Sequence, residues 1–439
     1  MRTKFIAAFL CLGLLAPVLL SLTGCGNQRT PDHTTHPDKK SDNTQTAPQA
    51  VNLMAGITPR ASGDVNGKAD ASAADPIMDF SVQLFRESQK GGENALIAPF
   101  SVLCALAMTA NGADGETLSQ METLLGLPVD KLNEYLGAYM NALSSGDRYK
   151  LAVANSIWFK DHNTFTPNEN FLQTNADRYG AGIYKAPFND DTLNDINAWV
   201  SEHTDGMIPS ILDQIPNDAV MYLINALAFD AQWETIYNET QIQDGIFTTE
   251  AGQTQNVQMM YSEEDLYLED ADTVGFIKYY AGRKYAFAAL LPKESISIAD
   301  YTAALTGKKL RALFSGAARA NVNAAIPKFE CAYSTEMSEI LKAMGMTDAF
   351  DRAKADFSGI GRSTDGNLYI SRVLHKSYIA VDEQGTKAGA ATAVEIVDEC
   401  ALMGPFEQKT VHLDRPFVYM LMDCETDLPI FIGTAESME

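Results

Sequence analysis

Apolar residues recur along this chain with two distinct periods. Ile77, Phe80, Leu84 and Phe85 share one helical face, and helical spacing continues in stretches 101–110, 117–125, 129–143 and 191–202. Strand-like runs follow at 151–159, 220–229, 285–291, 378–381, 417–422 and 430–433. Since helices gather early and strands late, without a repeated strand-helix-strand unit, the pattern predicts an α+β domain.

The N-terminus has the pattern of a targeting segment. Arg2 and Lys4 precede an uncharged, mostly apolar run at 5–22, which ends in Leu22-Thr23-Gly24-Cys25. This ending resembles the bacterial lipoprotein signal, which implies a signal peptide at 1–24 and lipid attached to Cys25. The alternative is an uncleaved membrane helix, because the run is close to the minimum spanning length. Either interpretation places the rest of the chain outside the cytoplasmic membrane, in the cell envelope.

Residues 25–73 are rich in Thr, Asp, Asn, Pro, Gln, Ser and Gly and show neither apolar period. Such a composition is typical of a disordered polar tether. After it no further linker or internal repeat is evident, so we expect a single domain at 74–439.

Charge and motifs narrow the possible functions. The chain has 33 basic and 57 acidic residues, a net charge of -24, which disfavours nucleic acid and favours cationic partners. Nucleophile-elbow, zincin, phosphate-loop and paired-cysteine motifs are absent from the sequence. We therefore expect no enzyme, cofactor or metal site. The four cysteines of the expected domain, widely spaced, are expected to be unpaired: Cys104, Cys331, Cys400 and Cys424.

The segment 385–397 is unusual for a surface connection because it has two runs of small residues and little turn chemistry. Residues of even number, from Thr386 to Ile396, would share one face of an extended chain, and that face has no charge. Lys387 and Glu395 lie on the other face. An ordinary half-buried strand has the same alternation, but it would carry large β-branched side chains. Small residues instead suit a segment that must enter a narrow slot.

Four stretches of this sequence resemble one family. Residues 375–396 are similar to the hinge and proximal reactive loop of the serpins, and 94–121 resembles their N-terminal signature. Stretch 223–233 resembles their central strand with its breach tryptophan, Trp233, and 413–434 their C-terminal hairpin. The four stretches occur in the family's order. The resemblance implies the serpin fold: early helices, three β-sheets and an exposed reactive-centre loop.

The resemblance also implies an inhibitor that acts as a suicide substrate. A serine protease, or in some cases a cysteine protease, cleaves the loop and is held as an acyl-enzyme while the loop inserts into the main sheet. Carried over to this chain, Glu383 begins the hinge, Gly385 and Thr386 form its pivot, and Ala388, Gly389, Ala390 and Ala391 are the fast-inserting run. We expect a monomer with extracellular proteases as partners.

The position of the cleaved bond follows from the family's spacing. Fourteen residues after the pivot glycine the bond would be Glu399-Cys400, but this loop is longer than in many relatives, so Cys400-Ala401 and Leu402-Met403 stay open. No Lys or Arg lies between Lys387 and Lys409, which makes trypsin-like proteases poor targets. Elastase-like, chymotrypsin-like, subtilisin-like or glutamate-specific enzymes fit better, and the acidic loop favours cationic ones.

Three further positions match the polar shutter of the family: Ser101, Asn225 and His375. Ala98 stands where relatives usually carry Ser, so one hydroxyl of that network is missing. Two functions are alternatives to protease inhibition. A non-inhibitory serpin, acting as a carrier or chaperone, would share the fold, whereas a surface hydrolase lacks an assembled nucleophile and base.

Overall fold

The computed structural model describes residues 50–60, 71–143, 148–161, 165–362, 367–387 and 407–438. The predicted signal peptide, Cys25 and the segment 388–406 lie outside these ranges. Across the described ranges no helix is long and apolar enough to cross a membrane.

The four bounded helical predictions are confirmed, with ends that differ by at most two residues from the observed ones. The described residues also contain helices that the sequence pattern missed, among them three between residues 298 and 343. The α-helices are α1 (Ala71–Glu87), α2 (Pro99–Ala110), α3 (Gly115–Leu125), α4 (Val129–Ala142), α5 (Glu169–Tyr179), α6 (Asp190–His203), α7 (Ile298–Ala303), α8 (Gly307–Ser315) and α9 (Ser338–Ala343).

All six predicted strands are present. The strands are β1 (Val51–Asn52), β2 (Ala95–Ile97), β3 (Tyr149–Lys160), β4 (Thr166–Pro167), β5 (Gly182–Ala186), β6 (Met221–Gln232), β7 (Ile242–Thr248), β8 (Thr254–Glu269), β9 (Thr273–Tyr279), β10 (Tyr285–Pro292), β11 (Ala318–Pro327), β12 (Phe329–Glu336), β13 (Gly361–Arg362), β14 (Arg372–Val381), β15 (Gly385–Lys387), β16 (Gln408–His412), β17 (Phe417–Asp423) and β18 (Pro429–Ala435).

The strands of the described ranges form three sheets, as expected for an α+β serpin fold. One has seven strands in the order β1-β5-β3-β6-β15-β14-β12, and a second has nine strands, of which eight follow the order β16-β11-β8-β9-β10-β17-β18-β2. Its ninth strand, β7, pairs with β8, and β13 and β4 make a separate pair. The three-residue strand β15 lies between β6 and β14 in the seven-stranded sheet, so the predicted hinge is part of that sheet.

Both faces of the seven-stranded sheet are covered at β6. Leu223 and Leu227 belong to the main core, whereas Tyr222, Ile224 and Ala226 pack in a second cluster with residues of α6 and of the segment after it. This burial on both sides explains why β6 is a continuous apolar run rather than an alternating one. Helix α2, which is buried along its whole length, packs beneath β3 and β6.

The structure differs from the prediction of a tether in residues 50–60. Strand β1 pairs antiparallel with β5, and Leu53 donates its backbone N–H to the Ile183 oxygen at 2.8 Å. Leu53, Met54 and Ile57 pack against the core. These apolar side chains are too few to show a period in the sequence, but they provide enough contact to dock the segment. Helix α1 likewise begins at Ala71, inside the predicted tether.

Candidate functional site

The hinge begins with a turn at the end of β14. Asp382 Oδ1 accepts hydrogen bonds from the backbone N–H groups of Gln384 (2.8 Å) and Gly385 (3.1 Å), and the Asp382 N–H donates to the Gly385 oxygen at 3.0 Å. An aspartate side chain that bonds backbone two and three residues ahead is typical of a tight turn. The chain therefore reverses and enters the gap between β14 and β6.

Gly385 stands where the backbones come closest. A Cβ at this position would lie 2.0 Å from the Ala231 oxygen and 2.8 Å from the Gln232 Cα, both in β6. Backbone atoms cannot move aside as a flexible side chain can. Position 385 therefore requires glycine.

Thr386 is the first residue of the hinge whose side chain enters the sheet interior. It is 1% exposed, and its hydroxyl forms a hydrogen bond with the hydroxyl of Tyr280. Tyr280 in turn stacks on Trp233, with ring centroids 4.5 Å apart and planes at 10°. The side chain of Thr386 is small enough for this buried position, and its hydroxyl has a hydrogen-bond partner there.

Trp233 fixes the turn from the other side. Its Nε1 donates to the Asp382 oxygen, and its backbone N–H donates to the Gln384 oxygen, each at 2.9 Å. The Tyr237 N–H donates to the Glu383 oxygen at 3.0 Å. The backbone at the top of the gap is thus held by three donors from the segment after β6.

A buried ion pair beside Trp233 was not predicted from the sequence. Lys278 Nζ lies 2.7 Å from Glu264 Oε1, and it also lies over the rings of Trp233 (5.5 Å) and Tyr237 (4.5 Å). Burial is the largest single influence and opposes the charge of Lys278, but the interactions with Glu264 and Tyr237 together outweigh it and raise the pKa of Lys278. The lysine remains charged and holds the two aromatic rings that contact the hinge.

Glu383 is paired at the surface. Its Oε2 lies 2.6 Å from Lys328 Nζ, and this hydrogen bond lowers the pKa of Glu383. The two side chains are 34% and 26% exposed, so water screens much of their attraction. The pair links the hinge to the residue that precedes β12.

The structure brings the three predicted shutter residues together beneath the middle of the sheet. Asn225 Nδ2 donates to Ser101 Oγ (2.6 Å) and to Asn155 Oδ1 (2.9 Å), and Ser101 Oγ donates to the same Asn155 oxygen at 3.2 Å. Asn225 Oδ1 contacts His375 Nδ1 at 2.6 Å. Asn155 completes the network and was not singled out in the sequence.

His375 receives its other contacts from Ala98 and Ser377. The backbone N–H of Ala98 donates to its Nε2 at 3.2 Å, and the Ser377 hydroxyl donates to the same atom at 2.8 Å. Nε2 is therefore an acceptor, and the proton resides on Nδ1, which donates to Asn225. Burial lowers the pKa of His375 to about 3, so the ring is neutral. Ser377 and a backbone N–H supply contacts despite the alanine at position 98.

Below the hinge, β6 and β14 pair directly. They run parallel with Arg372 opposite Tyr222 and Ser377 opposite Leu227. At the hinge, Thr386 lies between Ala231 of β6 and Val381 of β14. In both regions, a residue of β14 lies across from the residue of β6 whose number is lower by 150: 372 minus 222, and 381 minus 231. The two strands can therefore separate sideways and admit a new strand without a change of register.

Other predicted site residues lie outside the described part of the chain: Ala388, Gly389, Ala390, Ala391, Glu399, Cys400, Ala401, Leu402, Met403 and Cys25. Cys104, Cys331 and Cys424 are free, as expected.

Comparison with known proteins gives a consistent result. The family profile described as serpin (serine protease inhibitor) matches residues 75–437. The crystal structure of the thermophilic serpin tengpin in its native state superposes with a TM-score of 0.83 at 48% identity, covering 89% of this chain and 100% of that one. Human serpin B8 is 30% identical over 82% of this chain and 97% of its own length. The leukocyte elastase inhibitor of Equus caballus is 29% identical over the same shares.

Proposed function

This chain belongs to the serpin family, and from that premise we propose that it inhibits serine or cysteine proteases by inserting its cleaved reactive loop into the seven-stranded sheet. The protease attacks the loop, forms an acyl-enzyme, and is carried along as the loop enters between β6 and β14. Distortion of its active site then prevents hydrolysis of the acyl-enzyme.

The observation that carries the proposal is the position of β15. Its residues occupy the top of the gap, with Thr386 buried between Ala231 and Val381. The same register continues between the two flanking strands below it. Insertion therefore extends a strand that has already started, and it needs no new nucleation step.

The energetics favour the inserted form. Each added residue exchanges one β6–β14 pairing for pairings on both of its sides, and a net backbone hydrogen bond contributes about 0.5–1.5 kcal/mol. Strand addition of this kind is a general source of binding energy. The uncleaved protein is then held kinetically in a state that is not its most stable one.

The sequence of the loop defines the class of target. With no Lys or Arg between Lys387 and Lys409, the loop suits elastase-like, chymotrypsin-like, subtilisin-like or glutamate-specific proteases. We place the cleaved bond at Glu399-Cys400, with Cys400-Ala401 and Leu402-Met403 as alternatives. The name of the leukocyte elastase inhibitor is in line with such a target class.

The cellular location is part of the proposal. The sequence Leu22-Thr23-Gly24-Cys25 supports lipid attachment at Cys25, which would hold the inhibitor at the membrane and outside the cytoplasm. A monomeric inhibitor in this position would meet secreted proteases before they reach the cell surface.

A panel of serine and cysteine proteases tests the inhibitory activity. Incubation with a susceptible enzyme should give a complex that resists SDS and has the summed mass of enzyme and cleaved inhibitor. Mass spectrometry of the released C-terminal peptide should map the cleaved bond to residues 399–403. If every protease that cuts the loop leaves only cleaved chain, a carrier or chaperone role becomes the better account.

A further inference from the structure

A cavity of about 210 Å³ lies at the end of the gap farthest from the hinge. Its lining includes Arg372 and Leu374 from the start of β14, Glu336 from the end of β12, and Ile211 and Leu212 from the segment after α6. It is thus placed where a strand that filled the gap between β6 and β14 would end.

Two side chains at this end, Tyr222 and Arg372, have no carboxylate partner in the described part of the chain. The Tyr222 side chain is completely buried, and its O–H group donates to no acceptor within the described ranges. Arg372, directly opposite in the parallel register, has no carboxylate partner within ion-pair distance among those residues. Burial raises the pKa of Tyr222, whereas the charge of the neighbouring Arg372 guanidinium and its hydrogen bond to the Tyr222 hydroxyl oxygen oppose this effect. A buried O–H group that donates to no acceptor is costly, so an acceptor at this position would be favourable.

The register of β15 determines which residue would reach this position. On the β14 side, Thr386 lies opposite Val381, so the residue nine positions later, Glu395, would lie opposite Arg372. On the β6 side, Thr386 lies opposite Ala231, and the same nine steps place Glu395 opposite Tyr222. The two flanking strands give the same answer, because the pairing of Arg372 with Tyr222 has the same offset as the pairing at the hinge.

The three side chains would share one face of the sheet. Residues directly opposite one another in an antiparallel pair project to the same side, with Cβ atoms about 4.5–5.5 Å apart. Tyr222 and Leu374 belong to the cluster that also contains Ile211 and Leu212, so this face is covered by protein. A carboxylate there would accept a charge-assisted hydrogen bond from Arg372 and a hydrogen bond from the Tyr222 hydroxyl.

Two acidic residues near the cavity act against a third carboxylate. Asp213 lies on the exposed rim. Glu336 Oε1 already accepts from the backbone N–H of Ser338 (2.9 Å) and of Val373 (3.3 Å). Neither forms an ion pair with Arg372 in the described residues, so the guanidinium is available to a carboxylate that enters along the strand.

We infer that Arg372 and Tyr222 form a carboxylate site that binds Glu395 when the reactive loop inserts, and so stabilises the last part of the new strand. The inference rests on the proposed function. It explains why the one acidic residue at 385–397 lies nine positions after Thr386, with only uncharged side chains between Lys387 and Glu395. Glu395 also precedes every candidate cleavage bond, so it belongs to the portion that inserts.

Unfolding rates in guanidinium chloride test the site. The full chain and its Glu395→Gln, Arg372→Met and Tyr222→Phe variants are compared before and after cleavage by an elastase-like protease, with the cut mapped beyond Asp398. In the cleaved form Glu395→Gln and Arg372→Met should each unfold about fivefold to thirtyfold faster than wild type, and the double variant no faster than either. Tyr222→Phe should show a smaller effect in the same direction. Glu395→Gln should not change the intact form.

Asp398→Asn is the matched control. In the same register, the residue opposite Asp398 would precede the first residue of β6, so Asp398 would lie outside the sheet. It should leave the cleaved form unchanged. Additive effects of Glu395→Gln and Arg372→Met, or equal effects of Glu395→Gln and Asp398→Asn, would overturn the carboxylate site. An effect of Arg372→Met alone would overturn it as well and would indicate pairing with Asp213 or Glu336. In all these cases cleavage would still stabilise the wild type, whereas loss of that gain would refute the proposed function itself.

Discussion

The hydroxyl of Thr386 hydrogen-bonds to the hydroxyl of Tyr280 at the point where the hinge strand enters the seven-stranded sheet. Thr386 is 1% exposed and Tyr280 is completely buried, so the contact is shielded from water. The pair joins the buried side chain of the hinge strand to the aromatic stack of Tyr280 on Trp233, which also binds the turn at Asp382. The hinge strand therefore already occupies the gap between β6 and β14 at its upper end.

Replacing Thr386 by arginine should convert the inhibitor into a substrate. A guanidinium at this position would have to enter a buried site without a charged partner, at a cost of several kcal/mol. We expect strand insertion to slow by about a hundredfold, so that hydrolysis of the acyl-enzyme overtakes it. The measurement is the fraction of protease found in SDS-resistant complex, with cleavage of the loop followed in parallel.

Thr386→Ser is the matched control, because it retains the hydroxyl and adds no volume. It should keep the yield of complex close to that of wild type. An arginine variant that forms the complex as efficiently as the serine variant would refute insertion at this position.

Acid should weaken the uncleaved protein through His375. Its pKa falls from an ordinary value of 6.5 to about 3 on burial, so the neutral ring is required for the folded state. The stability it contributes is complete above pH 6.5 and is lost as the pH falls towards 3, which amounts to about 2 kcal/mol at pH 5. A proton on Nε2 would face the N–H of Ala98, which can only donate.

Denaturant midpoints at pH 7.5 and pH 5 measure this effect. Carboxylates titrate in wild type and in His375→Gln alike, so their contribution cancels in the comparison. The glutamine variant should start less stable and lose about 2 kcal/mol less between the two pH values. If both proteins lose the same stability, His375 does not carry the pH dependence.

The lipid anchor makes a separate prediction. Cys25→Ala should abolish incorporation of labelled palmitate and leave a precursor that retains residues 1–24. Cys11→Ala, a change inside the predicted signal peptide, should leave labelling and processing intact. Normal labelling of the Cys25 variant would rule out lipid attachment at that residue.

Several features of the site could be predicted because their signal is local. The even-numbered residues of 385–397 carry no charge, which predicts that their face is the one buried in a sheet. The side chain of Thr386, the first of these residues, is indeed buried in the sheet interior. Gly385 was assigned from the resemblance, and the turn at Asp382 was not predicted. Ser101, Asn225 and His375 came from the resemblance, since residues so far apart in the chain show no pairing in the sequence.

Other features depend on tertiary contacts and have no such signal. Lys278 and Glu264 are indistinguishable in the sequence from surface charges, yet they pair in the interior beside Trp233. Asn155 left a weak signal, because a lone polar residue in an apolar strand needs a buried partner. Residues 50–60 dock through a few apolar side chains in a segment whose average composition is polar. Composition therefore predicted a tether where the structure has a segment packed against the core.

The melting temperature before and after cleavage of the loop tests the central claim most directly. Cutting a surface loop in an ordinary domain leaves stability unchanged or lower, because the unfolded chain gains freedom. Here the eight residues from Ala388 to Glu395 would add hydrogen bonds on both edges of the lengthened strand, which should raise the midpoint by about 20 °C or more. Protein nicked by an elastase-like protease, with the cut mapped to residues 399–403, should therefore melt far above the intact protein. An equal or lower midpoint after cleavage would contradict the insertion mechanism.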